Sequence, residues 1–140
     1  MNPVFRKAVV VPAIAGLAMT VLPVSAHHTA SMFERAKTVQ LTGTITEVRW
    51  TNPHVNIMVN ATLKPGGTVA PWLLEMTSPG NLTRNGWSKT ALKPGDKVVL
   101  EINPLRDDSA NGGRLVKATL VDSGQVYNTD YKALEAEGRY

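Results

Sequence analysis

Apolar and polar residues alternate through much of residues 38–121, and this period of two is typical of half-buried β-strands. Clusters of Gly, Pro, Asn and Asp interrupt the alternation and predict the turns between strands. The predicted strands cover residues 38–50, 54–60, 69–77, 97–103 and 114–121, with a last short extended stretch at 125–127.

The first predicted strand changes phase along its length. Leu41 and Ile45 lie on one face, whereas Val48 and Trp50 follow in the opposite phase, with Gly43 earlier in the strand. A one-residue change of phase beside a glycine predicts a β-bulge or a sharp coil of the strand. Small barrels use this device to close, so the strand is expected to coil around a barrel.

One short helix is predicted between the third and fourth strands. Ser78 followed by Pro79 is typical of a helix start, and Asn85-Gly86 is typical of a helix end. Trp87 follows directly and is expected to plug the core. Three strands, a helix and two strands are the order of an OB-type barrel. We therefore predict an all-β protein with one short helix, built as a small OB-like five-stranded barrel, with a β-sandwich as the alternative.

The beginning of the chain predicts export. Arg6 and Lys7 precede an uncharged, mostly apolar run at residues 8–22, and small residues lead up to Ala26. This is the pattern of a cleaved signal peptide. The alternative, a membrane anchor, would need about 20 apolar residues, and the run is shorter. We expect a periplasmic or secreted protein with no stable membrane anchor after cleavage.

These patterns divide the chain into four parts. We predict a signal peptide at residues 1–26, an N-terminal arm at 27–37, the OB-like barrel at 38–127 and a C-terminal tail at 128–140. The arm mixes polar and small residues, and one helical turn or a disordered leader are both compatible with it. The tail could form a short surface helix.

Composition narrows the function further. Once Arg6 and Lys7 are removed, 13 basic and 11 acidic side chains remain, so the net charge falls from +4 to about +2. This near balance argues against a nucleic-acid partner, which usually requires a basic stripe. The absence of cysteine excludes disulfides and thiolate metal sites.

The three histidines are the best candidates for chemistry. Cleavage after Ala26 would place His27 at the new N-terminus, where its amine and its ring nitrogen can bind one ion together. His28 adds a second imidazole, and His54 would add a third. Nitrogen ligands of this kind favour copper, with nickel or zinc as alternatives. The competing interpretation is that the histidines are exposed and idle, and that His54 only caps a turn.

Two carboxylates could orient an imidazole of this set. Glu75 is expected on the same outer face of the sheet as His54, and Glu34 is close to the N-terminal histidines in sequence. Both could equally be ordinary surface acids.

A second hypothesis is a binding module without metal. OB barrels often bind oligomers on the face of their second and third strands. Here that ligand face would include Trp50, Asn52, Asn56 and Met58, and it would hold a peptide, a glycan or a protein partner. Core packing is the simpler role for the tryptophans.

Catalysis has little support in the sequence, and no catalytic residue is predicted. Cysteine is absent, and so is a Gly-x-Ser-x-Gly motif. A copper oxidase with an N-terminal histidine brace would use the same ligands as the metal hypothesis, and we rank it third. The expected role is to bind an ion or small ligand rather than to run a reaction.

Several short motifs of the chain occur together in one protein family. They are Ala26-His27-His28, Phe33-Glu34, Leu41-Thr42-Gly43-Thr44, Trp50-x-Asn52-Pro53-His54, Trp72-x-x-Glu75, Ser78-Pro79, Leu82-x-Arg84-x-Gly86-Trp87, Leu92-x-Pro94-Gly95-Asp96, and Pro104 with Gly112-Gly113. By these motifs the chain resembles an uncharacterised family of small exported bacterial proteins, known as a domain of unknown function. The resemblance covers about residues 26–124 and implies a secreted or periplasmic small β-domain without an established activity.

The chain departs from the family pattern near its N-terminus. Thr29-Ala30 stands where the family usually has Ser-Phe, and Glu34 stands where it usually has Asp. These departures argue against a role for an aromatic side chain at position 30. They leave the three histidines intact.

Overall fold

A computed structural model describes residues 32–129, which contain six strands and one short helix. The predicted signal peptide, His27, His28 and most of the predicted tail lie outside the described residues. Within residues 32–129, no helix is long and apolar enough to cross a membrane. The elements are β1 Val39–Arg49, β2 Asn56–Thr62, β3 Ala70–Glu75, α1 Pro79–Arg84, β4 Lys97–Pro104, β5 Gly112–Leu120 and β6 Val126–Asn128.

The first five strands close into a barrel. The hydrogen-bonded order is β3-β2-β1-β4-β5-β6, and a parallel pairing between β3 and β5 closes the ring. All other pairings are antiparallel, and β6 is one additional strand beside β5. The predicted OB-like five-stranded barrel is therefore confirmed, and the β-sandwich alternative is wrong.

The predicted bulge in β1 is present, and its position is Thr46. The β1–β2 register runs from Ile45 opposite Val59 to Glu47 opposite Met58, which leaves Thr46 as the extra residue. The bulge changes the phase of the strand, so Leu41 and Ile45 before it and Val48 after it all face the core.

Gly43 has a different role from the bulge, because it lets β1 approach β2 closely. A Cβ atom at Gly43 would lie 2.2 Å from the backbone oxygen of Asn60 and 2.6 Å from the Cβ of Ala61. Because the nearest atoms belong to the backbone and the Cβ of β2, the strand itself would have to shift to accommodate a side chain at Gly43. The glycine therefore serves close packing of the ladder rather than an unusual φ angle.

We expect Gly43→Ala to lower the free energy of unfolding by about 2–3 kcal/mol, because the new methyl group would overpack a site bounded by backbone. Gly80→Ala is the matched control, since the nearest atom to a Cβ there is the Arg84 Nη1 at 3.9 Å. Urea unfolding of the two variants measures the difference. Equal stability of the two variants would contradict a close approach at Gly43.

The core fills the barrel with aliphatic side chains from all five strands. Val55, Ile57 and Val59 are buried, as the alternation of the second strand predicts. The largest fully buried side chains are Phe33, Leu41, Ile45, Ile57, Leu74, Met76, Leu82, Leu100, Ile102, Leu115 and Val55. No disulfide cross-links the chain, so the fold depends on noncovalent interactions, of which burial of these apolar side chains is a main one.

The helix signals act as predicted. The Ser78 hydroxyl accepts a hydrogen bond from the Asn81 backbone N–H, and Pro79 is the first helical residue. Asn85 ends the helix and Gly86 takes a positive φ of 82°. Trp87 then enters the core with 3% of its surface exposed, which confirms its role as a plug.

The described part of the N-terminal arm packs onto the barrel. Phe33 is 2% exposed and forms a β-bridge with Leu105, at the start of the loop between β4 and β5. Asn103 donates from Nδ2 to the Lys37 carbonyl oxygen at 2.9 Å. Its Oδ1 accepts from Nε and Nη2 of Arg114, at 3.2 and 2.9 Å. These contacts bring the arm to the same end of the barrel as the β4–β5 loop.

Candidate functional site

His54 lies in the loop that joins β1 to β2, at residues 50–55. The Asn52–Pro53 peptide bond in this loop is cis. The next residue, Val55, is fully buried and its N–H donates to the Thr77 carbonyl oxygen at 3.2 Å. Because neighbouring residues of an extended chain face opposite ways, burial of Val55 directs His54 to the outer surface.

His54 and Glu75 form a pair on that surface. The His54 Nδ1 lies 2.9 Å from the Glu75 Oε1, and their side chains are 31% and 20% exposed. The direction of the ring N–H leaves Glu75 Oε1 without a full hydrogen bond. An ionised carboxylate only accepts hydrogen bonds, so at 2.9 Å its charge favours the neutral ring with the proton on Nδ1. The lone pair that can bind a metal ion is then on Nε2.

The position of Glu75 is unfavourable for its charge. Partial burial raises the pKa of the Glu75 carboxyl above its usual value, and the neighbouring His54 opposes this rise. A half-buried carboxylate beside an imidazole is the arrangement that orients histidine ligands in metal sites. The same arrangement also occurs in ion pairs with a structural role.

Asn56 supports the pair from the first position of β2. It stands opposite Glu75 in the β2–β3 register. Its Nδ2 donates to the backbone oxygen of His54 at 3.2 Å. Asn56 therefore links the loop that carries His54 to the strand that carries Glu75.

A pocket of about 160 Å³ adjoins this pair. Glu75 and Asn56 form one side of it, and Met32 and Phe33 of the N-terminal arm form another. The remaining lining comes from Leu73, Leu105, Ala110, Asn111, Gly112 and Gly113. The pocket is thus bounded by the arm, the outer face of β2 and β3, and the loop between β4 and β5, where OB barrels often bind ligands.

The structure brings together some of the predicted site residues. His54 contacts Glu75, and Asn56 contacts His54 and stands opposite Glu75 in the β2–β3 register. Glu34 instead pairs with Arg106, whose Nε lies 3.9 Å from the Glu34 Oε2. His27 and His28 lie outside the described residues. Within residues 32–129, no group of three or more His, Asp or Glu side chains is placed to hold a metal ion.

The other members of the predicted ligand face are dispersed. Trp50 is partly buried and packs against the hydrophobic core, so it does not present an open aromatic surface. Asn52 is exposed in the loop. Met58 is half-buried on the outer face, between Glu47 of β1 and Leu73 of β3.

Leu73 and Leu105 are pocket residues that the sequence interpretation did not select. Leu73 is 51% exposed. It precedes Glu75 by two residues in the same strand, and this spacing could have indicated that it shares the outer face. Leu105 begins a loop whose polar composition indicated only a turn. No local pattern indicates that this loop folds back to meet the arm.

Comparisons with known proteins identify the family of the chain. A family model described as a family of unknown function (DUF6152) matches residues 14–114. No curated protein and no solved structure matches the chain.

Proposed function

Because the chain belongs to this family of unknown function, we propose from its own residues that it is an exported protein that binds one divalent transition-metal ion. His54 and the N-terminal His27 and His28 are the proposed ligands. The observation that carries this proposal is the 2.9 Å contact between the His54 Nδ1 and Glu75, which leaves Nε2 as the metal-binding nitrogen. Export to the periplasm or beyond follows from the signal pattern at residues 1–26.

The reach of the N-terminal arm supports a shared site. Met32 and Phe33 line the same pocket as Glu75. His28 precedes Met32 by four residues, and an extended chain spans at most about 3.6 Å per residue, so His28 can lie up to roughly 14 Å from Met32. This length is sufficient to cross a pocket of about 160 Å³.

Copper is the first choice of ion. Three imidazoles and the amine of a cleaved N-terminus form a set of nitrogen donors, and such sets bind Cu(II) more tightly than Ni(II) or Zn(II). The proposed role is to carry or buffer the ion, because binding a metal does not by itself provide a reaction. Nickel and zinc remain alternatives.

The test is a Cu(II) titration of the exported protein, with cleavage after Ala26 verified by intact mass. We expect tight one-to-one binding that weakens more than 100-fold in His54→Ala, because loss of a ligand costs more than the roughly 10- to 100-fold loss of an orienting partner. A form that retains one extra residue before His27 is expected to bind more weakly as well. Weak binding that is independent of His54 would overturn the proposal.

A binding module without metal is the second candidate, and the pocket beside Glu75 favours it. Met32 and Leu73 are 45% and 51% exposed there, although both are large and apolar. A small apolar ligand or a side chain of a protein partner would cover them. Fragment screening by NMR would support this candidate if the Leu73 and Gly113 amides, which line only this pocket, shift without added metal.

A further inference from the structure

We propose that the opposite end of β3 holds a separate binding site, for a small molecule with a flat apolar body and one carboxylate. The site lies where β3 and β5 part, next to the loop that joins β2 to β3. It shares neither His54 nor Glu75, so it is independent of the metal proposal, and Asn111 is the one lining residue that it has in common with the pocket beside Glu75.

The barrel wall is open at this site because β3 and β5 pair over only a short length. Their parallel register begins at Leu73 opposite Gly112, and the Leu73 N–H donates to the Asn111 carbonyl oxygen. Pro71 lies two residues earlier, so its nitrogen faces the same side and has no hydrogen to donate. Within residues 32–129, the first half of β3 therefore pairs with no strand on this side, and proline is well tolerated at such an edge.

The resulting pocket has a volume of about 290 Å³, the size of a small-ligand site. Trp72 provides an aromatic wall, and it is half-buried because its other side packs on the core. Ala61, Leu63 and Ala70 complete the apolar lining, and Leu63 is 53% exposed. A flat apolar group would replace water against the indole and cover Leu63.

The polar lining favours an anion. Among the described residues that line the pocket, Lys64 is basic and none is acidic. Thr68 and Asn111 add a hydroxyl and an amide that can hydrogen-bond to a carboxylate. An aromatic carboxylic acid combines the flat body and the single negative charge that these side chains complement.

The test uses three compounds of similar shape: 3-phenylpropionate, its neutral amide and the cation phenethylamine. Binding is followed by NMR through the indole N–H signals of Trp50, Trp72 and Trp87, each assigned with a Trp→Phe variant. We expect 3-phenylpropionate to shift the Trp72 signal selectively, to bind about fivefold more tightly than the amide and more tightly still than the amine. The proposal would be overturned by equal binding of acid and amide or by shifts confined to Trp50 or Trp87. It would also be overturned if none of the compounds bound at concentrations up to about 10 mM.

Variants separate the two parts of the site. Lys64 is exposed, so Lys64→Gln is expected to fold normally and to abolish the preference for the acid over the amide. Lys89→Gln, an exposed lysine that does not line the pocket, should leave that preference unchanged. Ala70→Leu is expected to fill the pocket and prevent binding of all three compounds. Preserved acid preference in Lys64→Gln, or unimpaired binding in Ala70→Leu, would contradict the assignment.

Discussion

Replacing Asn103 with alanine is expected to lower the free energy of unfolding by about 3 kcal/mol. Asn103 is 4% exposed, and its Oδ1 accepts two hydrogen bonds from the buried guanidinium of Arg114. The same side chain donates from Nδ2 to the Lys37 carbonyl oxygen. The substitution removes an acceptor from a buried cation and a tie between the arm and the barrel. Urea unfolding of the exported protein measures the loss.

Asn60→Ala is the matched control for this prediction, because Asn60 is an exposed asparagine in a strand of the same barrel. Its expected cost is within about 0.5 kcal/mol. Asn103→Asp retains an acceptor for Arg114 and loses the donor to Lys37, so it should fall between the wild type and Asn103→Ala. Equal losses for Asn103→Ala and Asn60→Ala would show that the buried network contributes little.

Replacing Glu75 with alanine is expected to weaken Cu(II) binding by about 10- to 100-fold. The Glu75 Oε1 lies 2.9 Å from the His54 Nδ1, and its charge favours a proton on that nitrogen, which leaves Nε2 for the ion. Without this carboxylate the imidazole can take either tautomer and turn away from the ion. Glu75→Gln should recover part of the affinity, because an amide oxygen still accepts the Nδ1 hydrogen although it lacks the charge.

Glu47→Gln is the control for a general effect of charge. Glu47 is on the outer face of the barrel and binds Arg49 rather than His54. Its replacement should leave the Cu(II) dissociation constant unchanged within about twofold. The NMR tautomer of His54 provides a second readout. An Nδ1–H tautomer that persists in Glu75→Ala, together with unchanged affinity, would contradict an orienting role for Glu75.

Much of the barrel was predictable because short stretches of sequence determine its strands, its bulge and its helix ends. Strict alternation defines the buried face of β2, and the Ser78-Pro79 and Asn85-Gly86 pairs delimit α1. The phase change in β1 correctly predicted a bulge. Its exact position at Thr46 was not predicted, because the nearby Gly43 was the more obvious site for a bulge. In the structure, Gly43 instead allows the close approach of β2.

The surroundings of the candidate site depend on long-range closure, which local patterns do not contain. Period two predicted that His54 and Glu75 share the outer face, and the 2.9 Å contact between them requires the observed β2–β3 register. Part of the wall of the pocket beside them forms where Phe33 pairs with Leu105 at one end of the barrel. A polar loop and a mixed N-terminal arm give no sequence signal of that meeting.

The most direct test of a metal site shared by His54 and the N-terminal histidines is X-ray absorption on the Cu(II)-loaded exported protein. Multiple scattering from imidazole rings counts the histidine ligands of the ion. We predict three imidazoles in the wild type, from His27, His28 and His54, and two in His54→Ala. The same imidazole count in both proteins would contradict a site that joins the barrel to the N-terminus.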